Sequence, residues 1–182
     1  MQRPTWKQLS VKWSSPADGP AEDIPDAAVL EHVEGQRTLL MAFTGPDMAP
    51  GWVPFSFRHA HPELGDVGAD ASDAGFLLVV RAGAEPHERD DFRRWLDEEH
   101  APRQVALAGV HWYLGFEQEG VEHSFLNLWG IDDPAIANGA AWAAVRESPW
   151  WDRVAHIPAA GERGVYRVIR PPADTRTTGT GD

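Results

Sequence analysis

The sequence predicts an α+β fold whose regular part spans residues 75–170. In this region strand-like and helix-like patterns follow one another in the order β-α-β-β-α-β. The chain has 182 residues, 42% hydrophobic and 24% charged, which is enough apolar surface for one core of ordinary size. This order of elements is that of the ferredoxin-like unit, in which one antiparallel sheet carries both helices on a single face.

The first elements of this unit each have a separate signal. Gly75–Arg81 is an apolar run of strand length, and Glu85–His100 carries an apolar stripe at helical spacing. Pro102 disfavours the α conformation of the residue before it, so we expect the helix to end near its histidine. Two aromatic-rich strands follow at Val110–Gln118 and Glu122–Ile131, and the short stretch between them predicts a hairpin turn.

The second helix and the last strand complete the unit. Asp132 or Asp133 can cap a helix that has Pro134 at its first position and runs to about residue 145. Ser148 can cap a further short helical piece. The last predicted strand is Gly164–Ile169.

Residues 1–72 are less regular, and we interpret them as an N-terminal extension or as a degenerate first repeat. Asp26–Glu34 predicts a short helix closed by Gly35. Residues 62–74 predict a loop, and residues 171–182 a disordered tail. Strand-like patterns occur at Lys7–Trp13, Arg37–Thr44 and Val53–His59.

A ferredoxin-like unit leaves one face of its sheet uncovered. The predicted sheet carries aromatic residues on both faces, which a monomer of this unit could not cover. We therefore expect a homodimer that packs two sheets into a closed α/β barrel, unless the N-terminal segment covers that face.

Charge and composition exclude several classes of protein. The net charge is −12, from 16 basic and 28 acidic residues, which argues against nucleic acid and anionic membranes as partners. The absence of cysteine excludes disulfides and thiolate catalysis. We find no signal-peptide pattern and no apolar run long enough to span a membrane, and we expect a cytoplasmic protein.

The second half of the chain resembles a known family. The segment FRRWLDEEHAPRQVALAGVHWYLGFE resembles the W-x-x-x-H-x-P…PG motif of the EthD-like group of small dimeric α/β-barrel proteins. The stretch HSFLNLWGIDDPA…SPWWDRV is similar to the second half of that group, and Ala108-Gly109 stands where the group usually has Pro-Gly. The resemblance covers Gly75–Arg170 and implies a fold shared by cyclases, isomerases, dehydratases, cofactor-free monooxygenases and haem-degrading enzymes. Such a fold does not determine the reaction.

His100 is the leading catalytic candidate. We expect it at a helix C-terminus, where the helix dipole favours the protonated ring, and it matches the motif histidine. The alternative is a cap that only binds backbone carbonyls. Glu99 lies on the apolar stripe, so it either accepts a proton or pairs with Arg103 four residues later. Arg103 could instead bind a substrate carboxylate or enolate.

Polar side chains on the two middle strands form the second group of candidates. Alternation places His111 and Tyr113 on one face of the second strand, and both are candidate catalytic residues. His123 and Asn127 share a face of the third strand and are candidate substrate-binding residues. For each of them the alternative is a structural or exposed role.

Nine tryptophans are unusual for this length; we expect most of them to pack in the core, and their clustering leaves room for an aromatic-walled pocket for a flat ligand. Trp112, Trp129, Trp150 and Trp151 lie in one half of the chain. The tryptophans that we assign to substrate binding are Trp95, Trp112 and Trp129.

No cofactor or metal is expected. His59 and His61 lie on one side of a strand, but the sequence names no further ligands for a metal. Patterns that bind nucleotides or build a serine nucleophile do not occur.

We therefore predict a cofactor-independent acid–base enzyme, of the lyase or isomerase class, that acts on an aromatic or polyketide-like intermediate. Its reaction would be a cyclisation, dehydration or isomerisation. The alternatives are a cofactor-free monooxygenase and a non-catalytic small-molecule binding or scaffold protein. An enzyme should bring His100 together with His111, Tyr113 or Asn127 around one cavity.

Overall fold

The computed structural model describes residues 8–14, 27–34, 38–42, 51–61, 74–118, 125–157 and 159–170. Eight strands are present in these ranges: β1 Gln8–Ser14, β2 Ala27–His32, β3 Thr38–Ala42, β4 Val53–His61, β5 Phe76–Ala82, β6 Val110–Glu117, β7 Phe125–Ile131 and β8 Ala159–Arg170. The helices are α1 Arg89–Trp95, α2 Ala101–Val105, α3 Ala140–Ala144 and α4 Pro149–Val154. The predicted hairpin turn, the loop over 62–73, Gly35 and the tail lie outside the described residues.

The eight strands form one closed antiparallel barrel in the order β1-β3-β2-β8-β5-β7-β6-β4. Within it, the second half has the neighbour order β8-β5-β7-β6 of a ferredoxin-like unit. The first half has the equivalent order β4-β1-β3-β2, and no helix occurs among its described residues. This is the strand order that a degenerate first repeat predicts.

Apolar side chains from all eight strands fill the barrel interior. They include Leu9, Leu30, Leu39, Phe55, Leu77, Leu114, Leu126 and Tyr166. Burying each leucine or phenylalanine contributes about 1.5–3 kcal/mol. Because β1–β4 supply half of this interior, they cover the sheet face that the sequence analysis had assigned to a second copy. The barrel therefore closes within one chain.

One predicted element is wrong. Asp26–Glu34 was expected to form a helix, but Ala27–His32 is strand β2. Ala28 and Leu30 are buried while Glu31 is exposed, so the segment follows the two-residue period of a strand. It pairs with β3 on one side and with β8 on the other, and these non-local hydrogen bonds override the local helical preference.

The first helix continues past His100, contrary to the prediction that it ends there. Leu96–His100 is a π-helical turn, in which the Ala101 N–H donates to the carbonyl of Leu96, and α2 follows directly. The wide turn makes room for the ring of Pro102, which lacks an N–H and crowds an ordinary helix. The family motif has three residues between its tryptophan and histidine, whereas this chain has four, and the π turn takes up the additional residue.

Both predicted helix caps are confirmed. The Asp133 side chain accepts from the N–H of Ala135 at 2.8 Å, and Ser148 Oγ accepts from the N–H of Trp151 at 3.0 Å. The second helix is shorter than expected. Pro134–Asn138 is a 3₁₀ turn, and the extended backbone of Gly139 separates it from α3.

Candidate functional site

An aromatic layer lies between the helices and the outer face of β6 and β7. It consists of Trp95, His100, Tyr113, Trp129 and Trp142. Trp129 on β7 contacts Tyr113 on β6 at 5.1 Å between ring centroids, His100 at 6.3 Å and Trp142 on α3 at 5.7 Å. Trp95 on α1 stacks on the His100 ring at 4.2 Å. Two of the three predicted tryptophans, Trp95 and Trp129, therefore lie in this layer together with Trp142, and the aromatic-walled pocket stays a prediction.

A buried polar network borders this layer. The Tyr113 hydroxyl donates to Asn127 Oδ1 at 2.7 Å and accepts from Arg58 Nη2, also at 2.7 Å. The same guanidinium forms an ion pair with Asp97 through Nη1. Asn127 Nδ2 lies 3.5 Å from the carbonyl of Val80. The Arg58 side chain is only 8% exposed, so the charge lies in a low-dielectric environment.

Three features of the chain place Arg58 beside the aromatic layer. Arg58 is the unpaired residue at a register shift in β4, between Phe57 and His59, and β4 pairs with β6. The π turn presents Asp97 to it from the helix side. Gly115 lies beneath the network, where a Cβ would be 2.7 Å from the Tyr113 hydroxyl and closer still to the guanidinium. The glycine therefore creates the space that the guanidinium occupies.

The charges of this network are well defined at neutral pH. Burial opposes the charged form of Arg58, but Tyr113 and Asp97 outweigh it, and the pKa of the guanidinium is raised. Burial raises the pKa of Tyr113 to about 12, against the opposing effect of Arg58. Arg58 is therefore a cation and Tyr113 a neutral phenol. The arrangement can stabilise a negative charge that develops on a bound oxygen atom.

The structure corrects the prediction for His100. The ring is 7% exposed, lies within a continuous helical segment rather than at its end, and is stacked on Trp95. Burial, with smaller contributions from Arg146 and Arg103, lowers its pKa to about 3. The ring is thus neutral at pH 7, and the helix-dipole argument for a protonated His100 does not apply.

Glu99 forms the ion pair that its spacing predicts. Its Oε1 lies 3.8 Å from Arg103 Nη1 and accepts from the hydroxyl of Ser148, which also caps α4. These contacts join the π turn to α4. Glu99 and Arg103 therefore act here as a structural pair.

Two site predictions on β6 are corrected. His111 is the unpaired residue at a register shift between Val110 and Trp112, and its side chain is 40% exposed and pairs with Asp132 at 2.5 Å rather than with the Tyr113 network. Trp112 points into the barrel interior, packed over Gly130, and does not contribute to the aromatic layer. His123 lies outside the described residues.

His59 and His61 have no third potential metal ligand grouped with them among the described residues. Among the residues that the structure describes, no group of three or more potential metal ligands occurs. His59 instead packs near the Tyr113 ring, at 6.4 Å between centroids. Burial, followed by the charge of His59, lowers the pKa of His61.

A separate pocket of about 220 Å³ opens at the surface, between the N-terminus of α1 and the C-terminus of α4. It is lined by His87, Glu88, Asp91, Arg153, Val154, His156 and Ile157. Its charged groups pair with one another: Glu88 binds His156, and Asp91 binds Arg153 at 3.0 Å. The pocket contains none of the network residues.

Sequence reasoning missed Arg58, Asp97 and Gln104. Arg58 lies in the first half, which had no assigned role, and a lone arginine in an aromatic strand was the only signal. Asp97 looked like one of several exposed helical acids. Gln104 is fully buried one turn after His100, and only the continuation of the helix past Pro102 places it there.

Comparison with known proteins supports the fold. No family model and no curated protein sequence matches the chain. A monooxygenase-like protein from Listeria innocua superimposes with a TM-score of 0.59 at 10% identity, covering 88% of this chain and 92% of that one. A ferredoxin-fold protein related to antibiotic biosynthesis monooxygenases, from Listeria monocytogenes, gives 0.58 at 10% identity, with coverages of 90% and 96%. A haem-degrading enzyme from the same organism gives 0.54 at 9% identity, with coverages of 89% and 99%.

The chain therefore has the ferredoxin-like α/β-barrel fold. The similar structures are of the type related to antibiotic biosynthesis monooxygenases, which is a related barrel type and not specifically the EthD-like group. No helix among the described residues is long and apolar enough to cross a membrane.

Proposed function

We propose that this protein is a cofactor-independent monooxygenase that oxidises a phenolic or enolisable aromatic compound. The observation that carries the proposal is the buried Arg58–Tyr113–Asn127 network beside the aromatic layer. It provides a fixed cation and polar partners at a place where a flat ring can stack. The described structural neighbours named as monooxygenase-like or monooxygenase-related support the same reaction class.

The contribution of the network is electrostatic. An aromatic ketone with an acidic methylene, such as anthrone, loses a methylene proton to bulk water before it enters the layer and binds as the enolate. Water returns the proton to the peroxide that forms later. Arg58 is held in place by Asp97 and Tyr113, so it can stabilise the enolate oxygen without reorganisation. The aromatic layer excludes water and strengthens this interaction.

The reaction then uses dioxygen as the oxidant. The enolate transfers an electron to O₂, the two radicals combine into a peroxide at the former methylene carbon, and loss of water leaves a carbonyl. For anthrone the balance is C₁₄H₁₀O + O₂ → C₁₄H₈O₂ + H₂O. The protein's residues supply binding, orientation and charge stabilisation.

Described side chains fill the layer, so we expect the substrate to enter by displacing α4. Trp150 and Trp151 on this helix are only half-buried. Trp150 Nε1 and Arg153 both bind Asp91 of α1, at 3.1 and 3.0 Å, and these contacts hold the helix closed.

A cyclase, dehydratase or isomerase is the second candidate. Its enolate intermediate would be stabilised by the same Arg58 and Tyr113, so the network favours this class as well. The pKa values of His100 and Tyr113 lie far from 7, which favours charge stabilisation over proton transfer by these two groups. A cytoplasmic location stays a prediction, whereas the reason for expecting a homodimer through the sheets is removed by strands β1–β4.

The test is oxygen consumption and quinone formation with anthrone and hydroxylated anthrones. We expect Arg58→Met to lower kcat/KM by about 10²–10³-fold, the loss typical of removing one such stabilising group. Tyr113→Phe keeps the aromatic ring but removes the hydroxyl, and it should lower kcat/KM by about 10-fold. Arg167→Met is the matched control, because Arg167 is exposed on β8 and lies over the ring of Phe76, away from the network, and it should stay within about twofold.

The outcomes separate the candidates. Full activity in a folded Tyr113→Phe or Arg58→Met protein contradicts the proposed site. Turnover without oxygen uptake favours the cyclase class. Binding without any turnover favours a binding protein. Activity should survive prolonged chelation, and a stoichiometric visible chromophore in the active protein would contradict the cofactor-independent reaction.

A further inference from the structure

Three buried side chains in the aromatic layer carry polar atoms that find no hydrogen-bond partner among the described residues. The atoms are His100 Nδ1, Trp129 Nε1 and both amide atoms of Gln104. Gln104 is fully buried, and His100 and Trp129 are 7% and 2% exposed. Buried polar groups are almost always hydrogen-bonded, because leaving them unpaired costs folding free energy. Such a group of unpaired atoms in one place indicates a role outside folding.

The three side chains are neighbours. His100 and Gln104 are four residues apart in one continuous helical segment, so they lie on the same helix face one turn apart. The His100 ring lies edge-on to Trp129, with 6.3 Å between centroids. His100 therefore links Gln104 on the helix to Trp129 on the sheet.

The chemistry of the group is that of a neutral hydrogen-bonding site. The Trp129 indole only donates, the Gln104 amide both donates and accepts, and the neutral His100 ring can do either. The cations that act on His100 are Arg146, which lies over the Trp151 ring, and Arg103, which pairs with Glu99. A hydroxyl or carbonyl oxygen on a flat ring fits these partners, whereas the Arg58 network suits a negatively charged oxygen.

We propose that His100, Gln104 and Trp129 form a second substrate subsite, which hydrogen-bonds a neutral hydroxyl or carbonyl oxygen of the aromatic substrate. The substrate class is then an aromatic compound with two oxygen functions, one charged at Arg58 and one neutral at this subsite. The inference rests on the proposed function, because it takes the layer as the place where an aromatic substrate binds.

A trapped water molecule would satisfy the same atoms, and the experiment must separate the two explanations. Isothermal titration calorimetry compares 1-naphthol, which has one oxygen, with 1,5-dihydroxynaphthalene, which has two oxygens at opposite ends. We expect wild type to bind the diol about 10-fold more tightly, the gain typical of one good hydrogen bond.

Gln104→Leu removes the amide and keeps the approximate shape. We expect it to reduce the preference for the diol to less than about twofold while the affinity for 1-naphthol is unchanged. Its melting temperature should equal or exceed that of wild type, since an unpaired buried amide is removed. His100→Phe is the second variant, which keeps the stack on Trp95, and Gln118→Leu on the strand end is the matched control that should keep the preference.

Each outcome decides the question. Equal binding of both ligands to wild type, or a preference that survives Gln104→Leu and His100→Phe, overturns the subsite and favours water there. Failure of both ligands to bind wild type overturns the proposed function together with the subsite. Loss of the preference in both layer variants, with binding of 1-naphthol retained, supports it.

Discussion

Acidification should destabilise this protein through His100. The folded-state pKa is about 3, while the ring in the unfolded chain titrates near 6.5. The unfolded chain therefore binds a proton as the pH falls below 6.5, and the folded chain does not until about pH 3. Stability attributable to this group is lost across that window, and the loss between pH 7 and pH 5 is about 2 kcal/mol.

Urea unfolding of wild type and His100→Phe at pH 7 and pH 5 measures this loss. Phenylalanine keeps the ring stacked on Trp95 but does not titrate, so the variant should lose about 2 kcal/mol less than wild type over this range. All other titrating groups are common to both proteins and cancel in the difference. Phe57→Leu is the control, because Phe57 is exposed on β4 and packs against Phe116, so His100 keeps its burial and the variant should keep the wild-type pH dependence. Identical losses in wild type and His100→Phe would refute the neutral, buried His100.

Three further predictions concern packing and assembly. Gly115→Ala should lower the free energy of unfolding, measured by thermal melting, by about 1–3 kcal/mol and should lower activity, because a Cβ there displaces Arg58. The control Gly75→Ala, at an open position, should change neither. Ser148→Ala should lower the free energy of unfolding by about 1 kcal/mol, because it removes the N-cap of α4 and the hydrogen bond to Glu99. An unchanged melting temperature would contradict this prediction. Because β1–β4 close the barrel within one chain, we expect no dimer that forms by packing two sheets against each other. A dimer in light scattering that substitutions in the barrel interior convert to monomer would contradict this expectation.

Much of the second half could be predicted from the sequence. The order of its elements, the caps at Asp133 and Ser148 and the Glu99–Arg103 pair all follow from patterns within a few residues. Such patterns are reliable because hydrogen bonds of caps and contacts between successive helical turns are local. Tyr113 and Asn127 were also candidates from strand alternation, but only the register of β6 and β7 places them on one side of the sheet.

The candidate site as a whole could not be predicted in this way. Single-residue irregularities occur at three positions: His111 is the unpaired residue of a register shift in β6, Arg58 is the unpaired residue of one in β4, and Asp97 lies in the π turn. Sequence periodicity assumes regular elements, so each irregularity shifts every later side chain by one position.

The sequence by itself determined the ferredoxin-like order of the second half, its helix caps and its wealth of aromatic side chains, because each depends on neighbours along the chain. Only the tertiary structure decided that the first half adds four strands to close the barrel and that Ala27–His32 is one of them. It also decided that Arg58, from the first half, binds Tyr113 beside the aromatic layer. It also decided that His100 is neutral, because burial depth sets the pKa. Strand pairing and burial arise between residues far apart in sequence, and no local pattern records them.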